Sequence, residues 1–214
     1  MKSNVCHVIC AGERTDFLPF INVGDFIIAS DGGMDYLNQV NIVADLAVGD
    51  FDSVNGICNA KQTLQLKREK DETDTFVCAI EAIKMGFNRI YIHCGVGGRV
   101  DHTIANIQLL TFLAKKGCYG FLFDHSSVII CLPEGQGIAF DFGASGDISV
   151  FSVSDQCEGV NIKGLKYALE NGLLKNDFAL GVSNQFVGSQ SEIYAKSGFL
   201  TVVFPITALK YIKY

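Results

Sequence analysis

Three short apolar segments near the amino terminus constrain the fold most, because each one runs into glycine or acidic residues where it stops. These segments cover residues 5–10, 26–30 and 46–48. Apolar runs of this length that end in turn-forming residues are typical of buried strands. The loops that follow parallel strands meet at one edge of the sheet, where ligands usually bind. We therefore predict an α/β domain with a mostly parallel sheet and a ligand site at the carboxyl ends of its strands.

The sequence changes character beyond Pro133, where short β-prone segments alternate with Gly, Ser, Asn and Asp. These segments cover residues 138–142, 148–153, 160–163, 178–183, 192–195 and 199–204. Short strands separated by turns at this spacing are typical of an antiparallel sandwich or barrel. We predict two domains, an α/β domain over residues 1–132 and a smaller antiparallel, sandwich-like all-β domain over residues 133–214.

Composition and charge exclude several classes of protein. The chain has 214 residues, of which 49% are hydrophobic, so it can bury a substantial core. A net charge of -6 without Lys/Arg runs argues against general nucleic-acid binding. We find no leader pattern and no apolar run long enough for a membrane span, so we expect a cytoplasmic protein that binds no membrane. The eight cysteines lack metal-binding spacings, which favours buried free thiols.

Asp50 and Asp52 directly follow the third apolar segment. If the alternation of a strand continued through them, both carboxylates would lie on one side, about 7 Å apart. They could then share one Mg²⁺, which prefers oxygen ligands and usually binds between carboxylates and substrate phosphates. An Asp-rich turn after a strand is the alternative interpretation. Asp31, which follows the second segment, would face the same edge of the sheet.

A highly charged stretch over residues 67–74 comes directly before a predicted helix. Asp71 and Asp74 would occupy the cap and the first turn of that helix. Carboxylates in these positions accept backbone N–H hydrogen bonds and offset the helix dipole. Helix capping and metal binding are both open interpretations of Asp74 at this point.

A loop that contains Gly97, Gly98 and Arg99 follows the strongly β-prone segment 89–94 and precedes a second helix. The glycines allow the backbone to approach a phosphate closely, and Arg99 supplies a bidentate cationic group. The dinucleotide fingerprint and the P-loop pattern are both absent. His102 either reaches the same cleft or forms a local hydrogen bond at the start of the helix. This loop, together with the loop at Gly12, is where we expect a nucleotide to bind.

The order and spacing of these motifs resemble the thiamine pyrophosphokinase family. In the first domain the resemblance rests on residues 31–33, 49–53, 70–74 and 97–102. In the second domain it rests on residues 164–167 and 183–186. The resemblance therefore extends over nearly the whole chain.

The resemblance implies an amino-terminal domain that binds ATP, a carboxy-terminal β-domain, and a homodimer with thiamine bound at the subunit interface. The implied reaction transfers the pyrophosphoryl group of ATP to the hydroxyl group of thiamine, with Mg²⁺ as cofactor, and yields thiamine diphosphate and AMP. One alternative is a diphosphokinase for another alcohol, such as a hydroxymethylpterin. A second alternative is a non-catalytic nucleotide or thiamine sensor, which would not need the full set of acidic residues.

The motifs also give a residue-level expectation for the site. The metal ligands would be Asp50, Asp52 and Asp74. The nucleotide would be bound by Gly12, Asp31, Gly32, Gly33, Gly97, Gly98, Arg99 and His102. The catalytic residues would be Asp74, Arg99 and Asp101, with Asp101 either orienting the substrate hydroxyl or acting as its base. Thiamine would contact Tyr167, Ser183 and Asn184. Some family members carry Trp where Tyr167 stands, and a tyrosine ring can still stack on the pyrimidine of thiamine.

Overall fold

A computed structural model describes residues 4–51 and 58–213, and the chain divides into two compact units, one up to His125 and one from Ser126 onward. The division lies earlier than residue 132, where the change in sequence character places it. The reason is that the strand Ser127–Leu132 pairs antiparallel with Leu200–Pro205, deep in the second half of the chain. Pro133 directly follows the end of this strand.

The first unit alternates strands and helices. Its strands are β1 (Val5–Ile9), β2 (Phe26–Ser30), β3 (Ala44–Gly49), β4 (Ala60–Gln65), β5 (Arg89–His93) and β6 (Tyr119–Phe123). Its helices are α1 (Gly33–Gln39), α2 (Asp74–Lys84) and α3 (Val100–Lys115), with a short 3₁₀ turn at Leu18–Phe20. The strands pair in parallel in the order β6-β5-β1-β2-β3-β4. The predicted α/β domain with a parallel sheet is confirmed.

The position of β1 determines where this sheet presents a crevice. β1 pairs with β2 on one side and with β5 on the other, so the order of the strands along the chain reverses at β1. In open α/β sheets, ligands bind outside the carboxyl ends of the strands at such a reversal, because the loops on its two sides turn away from each other. The ends of β1 and β5 are therefore the expected location of a site.

The second unit contains antiparallel strands. They are β7 (Ser127–Leu132), β8 (Gly137–Phe140), β9 (Asp147–Ser152), β10 (Gln156–Lys163), β11 (Leu169–Lys175), β12 (Gly181–Gln185), β13 (Ser191–Tyr194), β14 (Leu200–Pro205) and β15 (Ile212–Lys213). A 3₁₀ turn over Ile206–Tyr211 precedes β15. One group has the order β12-β9-β14-β7 and the other has the order β11-β10-β13-β8-β15. The rings of Phe140 in β8 and Phe204 in β14 pack edge to face at 5.1 Å, which joins the two groups in one apolar core. The predicted sandwich-like β-domain is confirmed.

Two further findings concern the cysteines and the length of the helices. All eight cysteines are free, and Cys58 alone among them is exposed. The prediction of buried thiols therefore holds for the other seven. None of the helices in the described part of the chain has the length and apolar character needed to cross a membrane.

Candidate active site

A cavity of about 580 Å³ lies at the carboxyl ends of β1, β2 and β5. It is the crevice expected from the reversal of strand order, and the first turns of α2 and α3 complete its wall. The predicted site residues that line it are Gly12, Asp31, Asp74, Gly97, Gly98, Arg99 and His102. Gly32, Gly33, Asp50 and Asp101 are not among the lining residues.

The loop after β1 is held by backbone contacts to the loop after β5. The Gly12 N–H donates to the carbonyl oxygen of Cys94 at 2.8 Å, and the Glu13 N–H donates to that of Val96 at 3.2 Å. Tyr36 of α1 donates its hydroxyl hydrogen bond to the Gly12 carbonyl at 2.7 Å. The first residues after β1 and β5 are therefore joined by hydrogen bonds, which gives the cavity a preformed wall.

Gly33 has a packing role, which explains why it does not line the cavity. It begins α1, and a Cβ at this position would lie 2.0 Å from the carbonyl oxygen of Ile9 in β1. Only glycine allows the start of α1 to lie this close to the backbone of β1. Its neighbour Gly32 is the N-cap of the same helix.

Asp31 and Asp50 are neighbours at the ends of β2 and β3. Asp31 has a left-handed backbone, with φ of 45°, and its N–H donates to the Val48 carbonyl at 2.8 Å. Its carboxylate lies against Gly49, since a Cβ at that position would be 2.9 Å from Asp31 Oδ1. Asp50 is the next residue along the chain after Gly49, so an acidic residue follows each of these two strands.

The strand before Asp50 stops short of it, because β3 ends at Gly49 and Phe51 adopts a left-handed φ of 60°. The predicted shared side of Asp50 and Asp52 stays a prediction. Asp52 itself lies outside the described residues.

Asp74 begins α2, but it does not cap that helix. The cap is Thr73, whose Oγ1 accepts the Phe76 N–H at 3.2 Å. Asp71 lies before the cap, outside the helix. Thr73 and not an acidic residue therefore caps α2, whereas Asp74 lies in the first turn as predicted, where its charge is favourable to the helix dipole. The Asp74 carboxylate also lines the cavity and contacts the Lys70 ammonium at 2.8 Å.

The loop before α3 has a tight, left-handed course. Gly97 has a φ of 81°, and a Cβ there would lie 2.5 Å from the carboxylate of Glu13. Any larger residue at this position would meet both backbone strain and a steric clash. The loop therefore brings its backbone to the cavity, as a phosphate-binding loop requires.

Arg99 and Asp101 form a two-point ion pair at the start of α3. Arg99 Nε donates to Asp101 Oδ1 at 3.2 Å, and Arg99 Nη2 donates to Oδ2 at 2.6 Å. The side chains are 71% and 64% exposed. The hydrogen bonds from Arg99 lower the pKa of Asp101, and the same contact raises the pKa of Arg99. Asp101 is therefore fully ionised at neutral pH and oriented by Arg99.

His102 and Asn106 lie one helical turn apart on α3 and make different contacts. Both line the cavity, but the Asn106 side chain is buried and its Nδ2 donates to the Gly95 carbonyl at 2.7 Å. Asn106 therefore braces the glycine loop from within α3. His102 is exposed, and its ring stands at the edge of the cavity.

Several residues that line the cavity were not predicted from the sequence. They are Cys10, Glu13, Ser30, Thr75 and Cys94. Glu13 also lies 3.1 Å from Nε2 of His125. The Cys10 thiol is 3.4 Å from Thr75 Oγ1, and burial raises its pKa to about 12, which keeps it neutral. The sequence signal for these residues is their position, because Cys10, Glu13, Ser30 and Cys94 lie at or next to the ends of predicted strands.

In the second unit, Asn184 and Tyr167 form one structural element. The buried Asn184 side chain accepts the Tyr167 N–H at 2.9 Å and donates to the Tyr167 carbonyl at 2.7 Å. Tyr167 is 60% exposed. Both residues border a cavity of about 150 Å³, whose other residues are mostly aliphatic. Ser183 does not line that cavity, and its N–H donates to Ser149 Oγ at 3.1 Å.

The donor set at the first cavity fits Mg²⁺ held together with substrate phosphates. Asp74 Oδ1 is a buried oxygen that accepts no hydrogen bond of good geometry, and Asp31 lines the same cavity. Mg²⁺ typically takes one or two carboxylates and completes its shell with phosphates and water. Within residues 4–51 and 58–213, no group of three or more His, Cys, Asp or Glu side chains could hold a metal by itself. Among these residues, phosphate oxygens would have to complete the shell.

Two family models match the chain. The model of the thiamin pyrophosphokinase catalytic domain matches residues 17–135, and that of the thiamin pyrophosphokinase vitamin B1 binding domain matches residues 140–200. The chain belongs to the thiamine pyrophosphokinase family. The resemblance inferred from the motifs is confirmed, as is the expectation that the chain is an enzyme.

Individual relatives agree with this family. Thiamine pyrophosphokinase from Bacillus subtilis is 29% identical over 185 residues, which is 82% of this chain and 85% of the relative. Thiamin pyrophosphokinase 1 from Caenorhabditis elegans is 22% identical over 198 residues, 84% of this chain and 79% of the relative. The crystal structure of the Bacillus subtilis enzyme has a TM-score of 0.86 at 25% identity and covers 94% of this chain and 98% of its own. Thiamin pyrophosphokinase from Candida albicans, at 16% identity over 94% of this chain and 88% of its own, shares the fold with a TM-score of 0.78.

Proposed function

We propose that this chain transfers the pyrophosphoryl group of ATP to the hydroxyl group of thiamine, and so forms thiamine diphosphate and AMP. The observation that carries the proposal is the cavity at the strand reversal, where carboxylates, a glycine loop and Arg99 converge in a chain of this family. Family membership favours this function over a diphosphokinase for a different alcohol. It also favours it over a sensor, which would not require Asp74 and Arg99 at one cavity.

The proposed roles follow from the charges of the substrates. ATP carries several negative charges, and the backbone N–H groups at Gly97 and Gly98, together with Arg99, would bind its phosphates. Asp50, Asp52 and Asp74 would hold Mg²⁺ against those phosphates, which neutralises their charge and aligns them for transfer. Because the transition state of such a transfer is loose, positioning and charge stabilisation supply most of the catalysis. Arg99 would stabilise charge that develops toward the AMP leaving group.

Asp101 acts, in this proposal, through Arg99 and not as a general base. The hydrogen bonds from Arg99 lower the pKa of Asp101, so the carboxylate has little tendency to take a proton. A loose transition state also needs little early deprotonation of the attacking hydroxyl. The two-point contact instead holds the guanidinium in one orientation at the start of α3.

We assign thiamine recognition to the Tyr167 region of the second unit, which consists of Tyr167, Asn184 and the aliphatic side chains around the cavity of about 150 Å³. The exposed Tyr167 ring offers an aromatic face on which the pyrimidine ring of thiamine would stack. Asn184 holds the Tyr167 backbone through two hydrogen bonds and so positions the ring. Ser183 would contribute to this region next to Asn184, as the family resemblance implies.

We also propose a homodimer with thiamine at the subunit interface. Tyr167, Leu180 and Val182 border the same small cavity of the second unit and are each about half exposed or more. Phe178, whose carbonyl oxygen accepts the Leu180 N–H, is also exposed. Exposed apolar clusters on a protein of this size are typical of protein interfaces. Sedimentation analysis should give a dimer for the native chain. Replacement of Phe178 and Leu180 by Ser should yield monomers, and an unchanged mass would count against this face.

The direct test is to incubate the purified protein with ATP, Mg²⁺ and thiamine and to separate the products by chromatography. We expect AMP and thiamine diphosphate in equal amounts, both dependent on thiamine. Formation of ADP, or the absence of a thiamine-dependent product, would refute the proposal. A parallel reaction in which a hydroxymethylpterin replaces thiamine tests the alternative acceptor, and we expect no product from it.

A further inference from the structure

Lys70 is held at the carboxylate of Asp74, although it was not predicted as a site residue. Its ammonium lies 2.8 Å from Asp74 Oδ1, and the two side chains are only 17% and 25% exposed. A second contact joins the ammonium to the carbonyl oxygen of Lys67 at 3.4 Å. Lysine is rarely shielded to this extent unless it has a partner of opposite charge. The cation is therefore directed to a carboxylate that faces the cavity.

Helix stability does not explain this placement. Lys70 precedes α2, whose N-cap is Thr73 and whose first residue is Asp74. The amino-terminal end of a helix carries a partial positive charge, which favours acidic residues there and disfavours lysine. The lysine charge therefore interacts favourably with the Asp74 carboxylate and unfavourably with the helix dipole.

The contact between the two groups is of a kind that another cation can replace. Asp74 Oδ1 is buried, yet it accepts no hydrogen bond of good geometry from any residue that the structure describes. The proximity of the Lys70 ammonium balances its charge, without the directional bond that would make the pair strong. A buried carboxylate oxygen in this state retains its capacity to bind a metal ion.

We propose that Lys70 is the counter-ion of Asp74 in the metal-free protein, and that a divalent cation must displace it to bind. This inference rests on the proposed function, in which Asp74 holds the metal. Lys70 consequently weakens the binding of a divalent cation when no nucleotide is present. The Lys70 ammonium competes with the cation for the Asp74 carboxylate, and its positive charge repels the cation.

The test measures Mn²⁺ binding to the nucleotide-free protein, through the electron paramagnetic resonance signal of unbound Mn²⁺. Lys70→Gln should bind Mn²⁺ roughly threefold to tenfold more tightly than the native protein. Lys67→Gln is the matched control, because it removes the same charge from an exposed side chain in the same segment. Its affinity should match that of the native protein. Lys70→Arg, which keeps the charge, should also bind as the native protein does.

Unchanged or weaker Mn²⁺ binding by a folded Lys70→Gln protein would overturn the inference. So would tighter binding by Lys70→Arg, which would trace the effect to packing and not to charge. Asp74→Asn separates this inference from the proposed function. If that variant binds Mn²⁺ as the native protein does, the metal assignment in the proposed function fails. If it loses Mn²⁺ while Lys70→Gln is unchanged, only the role of Lys70 fails.

Discussion

The cavity of the first unit and the Tyr167 region of the second unit are built from different chemistry. Asp31, Asp74 and Arg99 place charges around the first, at the end of a parallel strand and at the starts of two helices. The second is formed by an aromatic ring, aliphatic side chains and the amide of Asn184. A polyphosphate with its metal needs fixed charges and N–H groups, whereas an aromatic acceptor is recognised by area and shape. Each unit offers what one of the two proposed substrates requires.

All four histidines of the chain belong to the first unit, which adds a second contrast. Two of them are buried in its sheet, with His7 Nδ1 at 3.0 Å from His93 Nε2 and His7 Nε2 at 3.1 Å from Asp25 Oδ2. The second unit contains no histidine. Acid should therefore act on the two units differently.

The largest effect is expected at the charged cavity. Replacement of Asp74 by Asn should lower kcat/KM on the order of 10³-fold, because the metal and the phosphates lose a ligand charge, while the fold is retained. Steady-state kinetics with circular dichroism measures both. Asp50→Asn should behave in the same way. Asp155→Asn, an exposed acid of the second unit, is the control and should retain native activity. Native activity in the Asp74→Asn enzyme would show that the carboxylate at the charged cavity is not needed for catalysis.

A smaller effect is expected at the Tyr167 region. Tyr167→Ala should raise KM for thiamine about tenfold, which corresponds to about 1.4 kcal/mol of lost ring contact, and should leave KM for ATP unchanged. Tyr167→Phe keeps the ring and should be close to the native enzyme. An equal rise in both KM values would show that the two regions are not specialised as their chemistry indicates.

The acid response should separate the two units. Burial lowers the pKa of His7, and burial together with His7 lowers that of His93 well below its ordinary value. The unfolded chain, with histidine pKa values near 6.5, therefore binds protons that the folded chain does not. Stability is then fully present above about pH 6.5 and is lost as the pH falls, by up to about 1.4 kcal/mol per pH unit for each histidine.

Urea unfolding across this pH range measures the loss. His93→Phe should flatten the acid slope, whereas His125→Gln, which alters an exposed histidine of the same unit, should leave it unchanged. A slope that persists in His93→Phe would locate the acid response elsewhere.

The smallest effect is expected for Asp101. Asp101→Asn weakens the contact that orients Arg99. Because Asp101 does not act as a base in this proposal, kcat should fall less than about tenfold, without a change in its pH profile. A loss as large as that of Asp74→Asn, with a shifted acid limb, would instead establish Asp101 as the base.

The sequence predicted the elements whose signals are local. The apolar runs that end at Gly12, Asp31 and Gly49 do belong to parallel strands, because burial on both faces demands continuous apolar residues. β6, β7, β11 and the two-residue β15 were not predicted. β11 carries little apolar alternation, since four of its seven residues are exposed. β6 and β7 are mostly buried, so their sequences do carry the apolar signal that predicts a strand.

The sequence alone determined the family, the α/β and β-sandwich classes, and the residue types that carry the chemistry, because these depend on periodicity and on motif order. Only the tertiary structure decided which side chains meet. It showed that Thr73 and not an acid caps α2, that β3 ends at Gly49 before the first acidic residue, and that the Lys70 ammonium contacts the Asp74 carboxylate. Such contacts depend on backbone dihedrals and on competition between neighbouring groups, which residue spacing does not encode.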